Sequence, residues 1–261
     1  MTYTIQLQTN HGAFMMNRHD LHQPSAIVQT GKPHINDEIE VLLAISDWMP
    51  DGAVMVDAGA NIGLISIPMA RRLHQRGGRV IAFEPQRLIY YMLAGNAAHA
   101  GLSNIYCHQI ALSSRPDTIL VPERDPEQHQ DFGAVSLVAG EQDGVYVQAL
   151  PIDNLGLDRL DLIKLDVEGM EIAVLEGAEE TIQQNRPLIW VEIWPPNYES
   201  VGRWFDEHDY ELLIFDALNF CAVPIEKRKE YPLGFPKFDG QSNPFFVTTF
   251  GQIGTEAGKS Q

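Results

Sequence analysis

Polar and apolar positions alternate along this chain at two different periods. Tyr3, Ile5 and Leu7 alternate with Thr4, Gln6 and Gln8 and then meet Asn10-His11-Gly12, the pattern of a strand entering a tight turn. A hairpin is predicted there, serving as an accessory flap or edge. The following HQPSAIVQTGKPH reads as irregular. Asn36 stands where it can cap a helix, with Asp37 and Glu38 in the first turn, where carboxylates meet the partial positive charge of the N-terminus. Ile39, Leu42, Leu43 and Trp48 supply its apolar face, and Pro50-Asp51-Gly52 ends it.

From there, short apolar runs alternate with helical ones: AVMVDAG, IGLISIPMARRLHQ, GRVIAFEP, QRLIYYMLAGNAAHAG, NIYCHQIALS, and again LDLIKLDVEG, MEIAVLEGAEETIQQN, PLIWVEIWP, NYESVGRWFDEHD and YELLIFDA. Near-continuous apolar strands separated by helices predict a parallel sheet covered on both faces. Ligands bind such sheets beyond the carboxyl ends of the strands, at the topological switch point. Residues 118–155 are rich in turn residues around short strand-like pieces and read as antiparallel additions with a loop. PFFVTTF is a last apolar strand.

At 261 residues a single α/β domain is expected. Residues 1–50 form a flap and helix, 51–250 a Rossmann-like core with an insertion near 114–155, and 251–261 a flexible tail. The 18 Lys and Arg stand against 35 Asp and Glu, a formal net charge of −17. This disfavours nucleic acid and anionic membranes as partners, since both rely on basic surface. No leader pattern or membrane-length apolar segment is apparent, so a cytoplasmic protein is expected. Cys107 and Cys221 are too few and too far apart for a thiolate metal site. His19 and His22 are a weak metal pair.

The chemistry concentrates in VMVDAGANIG. Gly59 and Gly63 allow a tight turn, and Asp57 ends the preceding strand. One helix later, Glu84 ends the next strand, from which a carboxylate can accept both ribose hydroxyls of an adenosine cofactor. A dinucleotide fingerprint requires G-x-G-x-x-G, but Asn61 and Leu64 occupy the second and third glycine positions. Asp57 would also repel a phosphate, by about 1 kcal/mol at 4 Å even in water. S-adenosyl-L-methionine (SAM), with its cationic sulfonium and ammonium, suits such an acid better. The sequence thus favours SAM over a nicotinamide-dependent oxidoreductase, and leaves open a SAM-binding protein without chemistry.

VDAGANIGLIS, GRVIAFEP, ALSS, DLIKLDVEGMEIAVLEGA and PLIWVEIWP, in that order and spacing, resemble the FkbM family of SAM-dependent methyltransferases from about Ile39 to Trp194. The resemblance implies a class I fold with a seven-stranded sheet whose last strand is antiparallel. It further implies methyl transfer, typically to a hydroxyl of a sugar, glycan or secondary metabolite. Along the cofactor it implies Asp57, Gly59, Asn61, Ile62, Gly63, Glu84, Pro85 and Asp166, with Ala111, Leu112 and Ser113 on the adenine side. Gly133 and Ser136 match a loop pattern of the family. Trp194 stands where family members often carry histidine, so a base from that position is not implied, and its indole can instead stack on an acceptor ring.

Removing the acceptor's proton requires a base. Asp166 and Glu168 share one side of an extended strand end, and Glu192 at the end of the adjacent strand views the same cleft. Three carboxylates in one site raise one another's pKa. Each also has a structural reading: Glu168 as a helix cap, Asp166 as a partner of Lys164, Glu192 as a loop tie. His34, just before the capped helix, is the imidazole placed to reach the cofactor from the flap. The three acids could hold Mg²⁺, though nothing in their spacing demands a metal. Lys227, Arg228 and Lys229 could attract an acidic group on the acceptor.

Overall fold

Why residues 54–58, 79–83, 162–165 and 188–192 become central strands follows from their burial: nearly every side chain in them is inaccessible on both faces of one sheet. The computed structural model describes residues 2–133, 143–194, 197–216 and 218–231, with the backbone of 246–248. Its elements are β1 (Thr4–Thr9), β2 (Gly12–Asn17), α1 (Gln23–Thr30), α2 (Asn36–Ser46), β3 (Val54–Ala58), α3 (Ser66–His74), β4 (Arg79–Phe83), α4 (Arg87–His99) and β5 (Ile105–His108). Then follow β6 (Ala111–Leu112), β7 (Asp117–Pro122), β8 (Gly144–Leu150), β9 (Leu162–Leu165), α5 (Glu171–Glu176) and α6 (Glu179–Asn185). The last are β10 (Leu188–Glu192), α7 (Tyr198–Glu207), β11 (Tyr210–Ile214), β12 (Asn219–Pro224) and β13 (Phe246–Thr248).

The main sheet has the order β13-β11-β12-β10-β9-β3-β4-β5. Strands β5, β4, β3, β9 and β10 run parallel, while β12 lies antiparallel between β10 and β11. This is the class I methyltransferase arrangement, extended by β13 on the edge, so eight strands stand where seven were expected. One face packs against α2, α3 and α4 through Ile39, Leu42, Ile67, Met69, Met92 and Leu93. The other packs against α5, α6 and α7 through Val174, Leu175, Ile182, Val201 and Phe205. Each such fully buried side chain stabilises the fold by roughly 1.5–3 kcal/mol. The insertion is a separate three-stranded sheet, β6-β8-β7.

The hairpin forms as predicted, with Thr9 opposite Gly12 across a two-residue turn. Three local expectations are corrected. HQPSAIVQTGKPH contains α1: Pro24 is tolerated in a first helical turn, and Gly31 closes the helix in the left-handed conformation, donating to the Ile27 carbonyl. Asn36 is not the cap of α2; its Oδ1 accepts from Asn10 Nδ2 at 2.8 Å, fastening the hairpin turn to the helix. The helical run after Met170 breaks into α5 and α6 at Gly177, which lies so close to Ser113 that an added Cβ would sit 2.0 Å from its carbonyl oxygen. Ser136 and the tail 251–261 lie outside the described residues. Among those described, no helix is long and apolar enough to cross a membrane.

Candidate active site

The strand order reverses at β3, whose neighbours β4 and β9 lead away in opposite directions, and a cleft of about 240 Å³ opens beyond the carboxyl ends. Gly59, Asn61 and Ile62 form its floor, Glu84 and Pro85 one side, and Asp166, Glu168 and Glu192 the other. Ala111 and Leu112 with Phe132 make an apolar end. Asp20, His22 and His34 close the outer part.

The roof comes from two distant parts of the chain joined by backbone. Leu21 N–H donates to Gln130 O at 3.3 Å and Gln130 N–H to His19 O at 3.2 Å. Asn17 Nδ2 donates to Pro126 O at 3.0 Å. Gln86 Nε2, from the cofactor side, donates to Phe132 O at 3.0 Å.

The glycine turn is built to approach closely. Gly59 has φ +76°, and a Cβ there would fall 1.8 Å from the Asp166 carbonyl oxygen, so only glycine fits. Asn61, also at positive φ (50°), donates its N–H to Glu84 Oε2 at 2.9 Å, while Gln86 N–H donates to Oε1 at 2.9 Å. Glu84 is 3% exposed yet faces the cleft, and burial pushes its carboxyl up to about 7. Each oxygen keeps a second lone pair, which is what two ribose hydroxyls require. The residues therefore fit an adenosine cofactor.

Three expected cofactor residues are not brought to the cleft. Asp57 is fully buried beneath the turn: Ser66 Oγ donates to its Oδ2 at 2.5 Å, and Lys164 Nζ lies 3.7 Å from Oδ1. Protein groups thus engage the carboxylate, through a hydrogen bond at Oδ2 and an ion pair at Oδ1. Gly63 is packed under the turn against Leu93 and Ile67. Ser113 lies past β6, where its N–H donates to Leu150 and its carbonyl meets Gly177. Ala111 and Leu112 belong to the small sheet rather than to the end of β5.

Asp166, Glu168 and Glu192 each offer an oxygen within 4.8 Å of the others. A hard cation could bridge oxygens so spaced, but Asp166 already has a counter-charge. Lys164, 3% exposed, donates to Asp166 Oδ2 at 3.0 Å. Burial alone would raise the Asp166 pKa, but Lys164 and a hydrogen bond shared with Glu192 hold it below the ordinary carboxylate range. Burial and then the Asp166 charge push Glu192 up to about 9, so Glu192 keeps its proton at neutral pH and donates to Asp166. Burial, then Asp166, Asp131 and Glu171, lifts Glu168 to about 7. Glu168 is not a helix cap: it sits at φ 50° in a loop pinned by Glu171, which accepts from Gly169 N–H at 2.8 Å and Asn197 Nδ2 at 3.1 Å.

His34 lines the outer cleft from an exposed position, its ring stacked on His22 at 5.5 Å, and His22 Nε2 lies 3.3 Å from Asp131. Trp194, 43% exposed, also lines the cleft. The basic run is engaged elsewhere: Lys227 donates to the carbonyls of Asn185 and Arg186 at the end of α6, and Arg228 pairs with Glu211. Sequence reasoning gave Asp20, Asp131, Phe132 and Glu38 no role in the site. The first three reach the cleft only through long-range pairing. Glu38 was read as a helix-end charge, but it lies close enough to Lys164, Asp166 and Asp57 to feel their charges.

This sheet order, with a glycine turn and the buried Glu84 at its switch point, is that of the class I methyltransferases that use SAM. Residues 57–219 match the family model described as the methyltransferase FkbM domain. The chain belongs to the FkbM family. Methyltransferase sdnD of Sordaria araneosa is 32% identical over 183 residues, 57% of this chain and 69% of that protein. Methyltransferase 1 of Beauveria bassiana is 29% identical over 152 residues, 50% of this chain and 60% of its own length. In fold, the chain is similar to the crystal structure of methyltransferase FkbM from Methylobacillus flagellatus KT, at 22% identity and a TM-score of 0.51. That match covers 67% of this chain and 44% of the other.

Proposed function

We propose that this methyltransferase acts on a hydroxyl group of an uncharged acceptor, a sugar, glycan or secondary metabolite, with Glu168 as general base. The observation that carries the reading is the unequal condition of the three acids. Glu192 holds a proton, Asp166 is tied to Lys164, and Glu168 alone titrates near 7, where a base is poised to accept a proton at physiological pH. SAM supplies a methyl group made electrophilic by the sulfonium. The chain's own residues would hold the acceptor oxygen in line and receive its proton on the Glu168 carboxylate as the carbon–oxygen bond forms and the methyl–sulfur bond breaks to leave S-adenosylhomocysteine.

The acceptor's charge follows from the walls. Among the described residues lining the cleft there are six acids (Asp20, Glu84, Asp131, Asp166, Glu168 and Glu192) and no Lys or Arg. A phosphorylated or carboxylated acceptor would meet repulsion without a compensating cation. Trp194 offers an exposed face for a sugar or aromatic ring.

The test is release of S-adenosylhomocysteine (SAH) from SAM with a panel of neutral hydroxylated compounds and their phosphorylated counterparts. Turnover is expected with the neutral set, and Glu168→Gln should lower it by about 10²-fold or more while SAH affinity stays within about threefold. Turnover only with phosphorylated or purely nitrogen acceptors, or a fully active Glu168→Gln, refutes the reading.

A further inference from the structure

Among the described residues, Lys164 is the one buried cation of the central strands, and its contacts extend beyond an ion pair. It lies in register with Asp57 of β3 on one side and Trp190 of β10 on the other. From that central position its ammonium donates to the Gly59 carbonyl at 3.1 Å and to Asp166 Oδ2 at 3.0 Å, and lies 3.7 Å from Asp57 Oδ1. The three oxygens belong to the end of β3, the glycine turn that floors the cofactor site, and the first residue past β9. Two of the ammonium's three hydrogens are thereby used on Gly59 O and Asp166 Oδ2, while Asp57 Oδ1 is an ion-pair partner beyond hydrogen-bond distance.

We infer that Lys164 is a positioning residue that clamps the cofactor turn to the transfer-site acid, so that Gly59 and Asp166 keep one fixed relation when SAM binds. The inference rests on the reading above that sets Asp166 beside Glu168, the proposed base, where the methyl group is transferred. The backbones are already in the closest contact that glycine permits, with a Gly59 Cβ falling 1.8 Å from Asp166 O. Without the ammonium, the Gly59 carbonyl and the Asp166 carboxylate would face each other as two negative dipoles across that contact. The turn would move away from β9. A lysine that only filled space could be replaced by methionine, which has nearly its volume and no donor; one that bridges oxygens could be replaced only by another cation.

The experiment measures SAH affinity by calorimetry for Lys164→Met and Lys164→Arg. The same two substitutions are also made in an Asp57→Asn background, each compared with its own parent. The second background removes the buried carboxylate that Lys164→Met would strand, and carries the comparison if the single variant does not fold. Lys164→Met is expected to bind SAH at least about tenfold more weakly than its parent, the effect of losing a charge-assisted hydrogen bond, and Lys164→Arg to recover affinity to within about threefold. Met binding as tightly as the parent, or Arg as weak as Met, overturns the clamp. No acceptor enters the measurement, so failure of the hydroxyl-transfer reading and failure of the clamp register separately.

Discussion

At the scale of single residues, the cleft shows how burial divides labour among like groups. Glu192 acts as a protonated acid that donates to Asp166. Glutamine keeps a donor of the same reach, whereas alanine leaves Asp166 with Lys164 but without the donor on the Glu192 side. Glu192→Gln is therefore expected to retain turnover within about threefold, and Glu192→Ala to lose about tenfold or more, in steady-state assays with an active acceptor. Glu84→Gln tests the cofactor side: one carboxylate oxygen becomes a donor facing the N–H of Asn61 or Gln86, and SAH affinity should fall by at least about tenfold in a binding titration. The strand-end placement of Glu84, Asp166 and Glu192 was legible in the sequence, because apolar runs fix where strands stop. The fate of Asp57 was not. A strand-end acid looks the same whether it faces ligand or protein; the buried Ser66 and Lys164 that claim it come from other elements. The signal was present in LIKLD, where a lysine within an apolar strand demands buried partners.

At the scale of elements, the hairpin reads from sequence as an accessory flap, but the structure fixes it in place. Asn96 of α4, 1% exposed, accepts from Met15 N–H at 2.6 Å and donates to Met15 O at 2.8 Å and to Ile62 O at 2.9 Å. One amide thus joins β2, α4 and the cofactor turn. Asn96→Ala would strand several buried backbone groups, at a cost on the order of 3 kcal/mol by urea unfolding, and β1-β2 should become the first site of protease cleavage. No local pattern announces such a latch, since Asn96 is separated from Met15 by 81 positions. The same holds for the roof, where residues 17–21 meet residues 126–130. The parallel core was legible because its period is local. Helix α1 was missed because Pro24 suggests irregularity unless one knows that it falls in a first turn.

For the molecule as a whole, the displaced acids set the pH response. Glu38, Glu84 and Glu168 are raised to about 7 and Glu192 to about 9, so between their unfolded values and these the native state binds more protons than the unfolded chain. Stability therefore falls as pH rises through that window. His11 and His108, lowered by burial, act in the opposite sense, but most of their contribution is made by about pH 6.5, the ordinary imidazole value, and little remains a unit above it. From pH 6.5 to 9 the melting temperature of the ligand-free protein should fall, by about 2 °C or more in scanning calorimetry. A rise across that range would show that these carboxyls ionise normally.

The acid-lined cleft, in a chain of formal charge −17, also bears on the order in which molecules come and go. SAM carries one net positive charge and SAH none, so the protein's field accelerates arrival of the methyl donor and gives the spent nucleoside no such help. In stopped-flow measurements, the SAM association rate should fall with added salt as screening shortens the field's range, while the SAH rate stays nearly constant. Loss of the methyl group removes the charge that drew the donor in, so each turnover favours exchange of used cofactor for fresh.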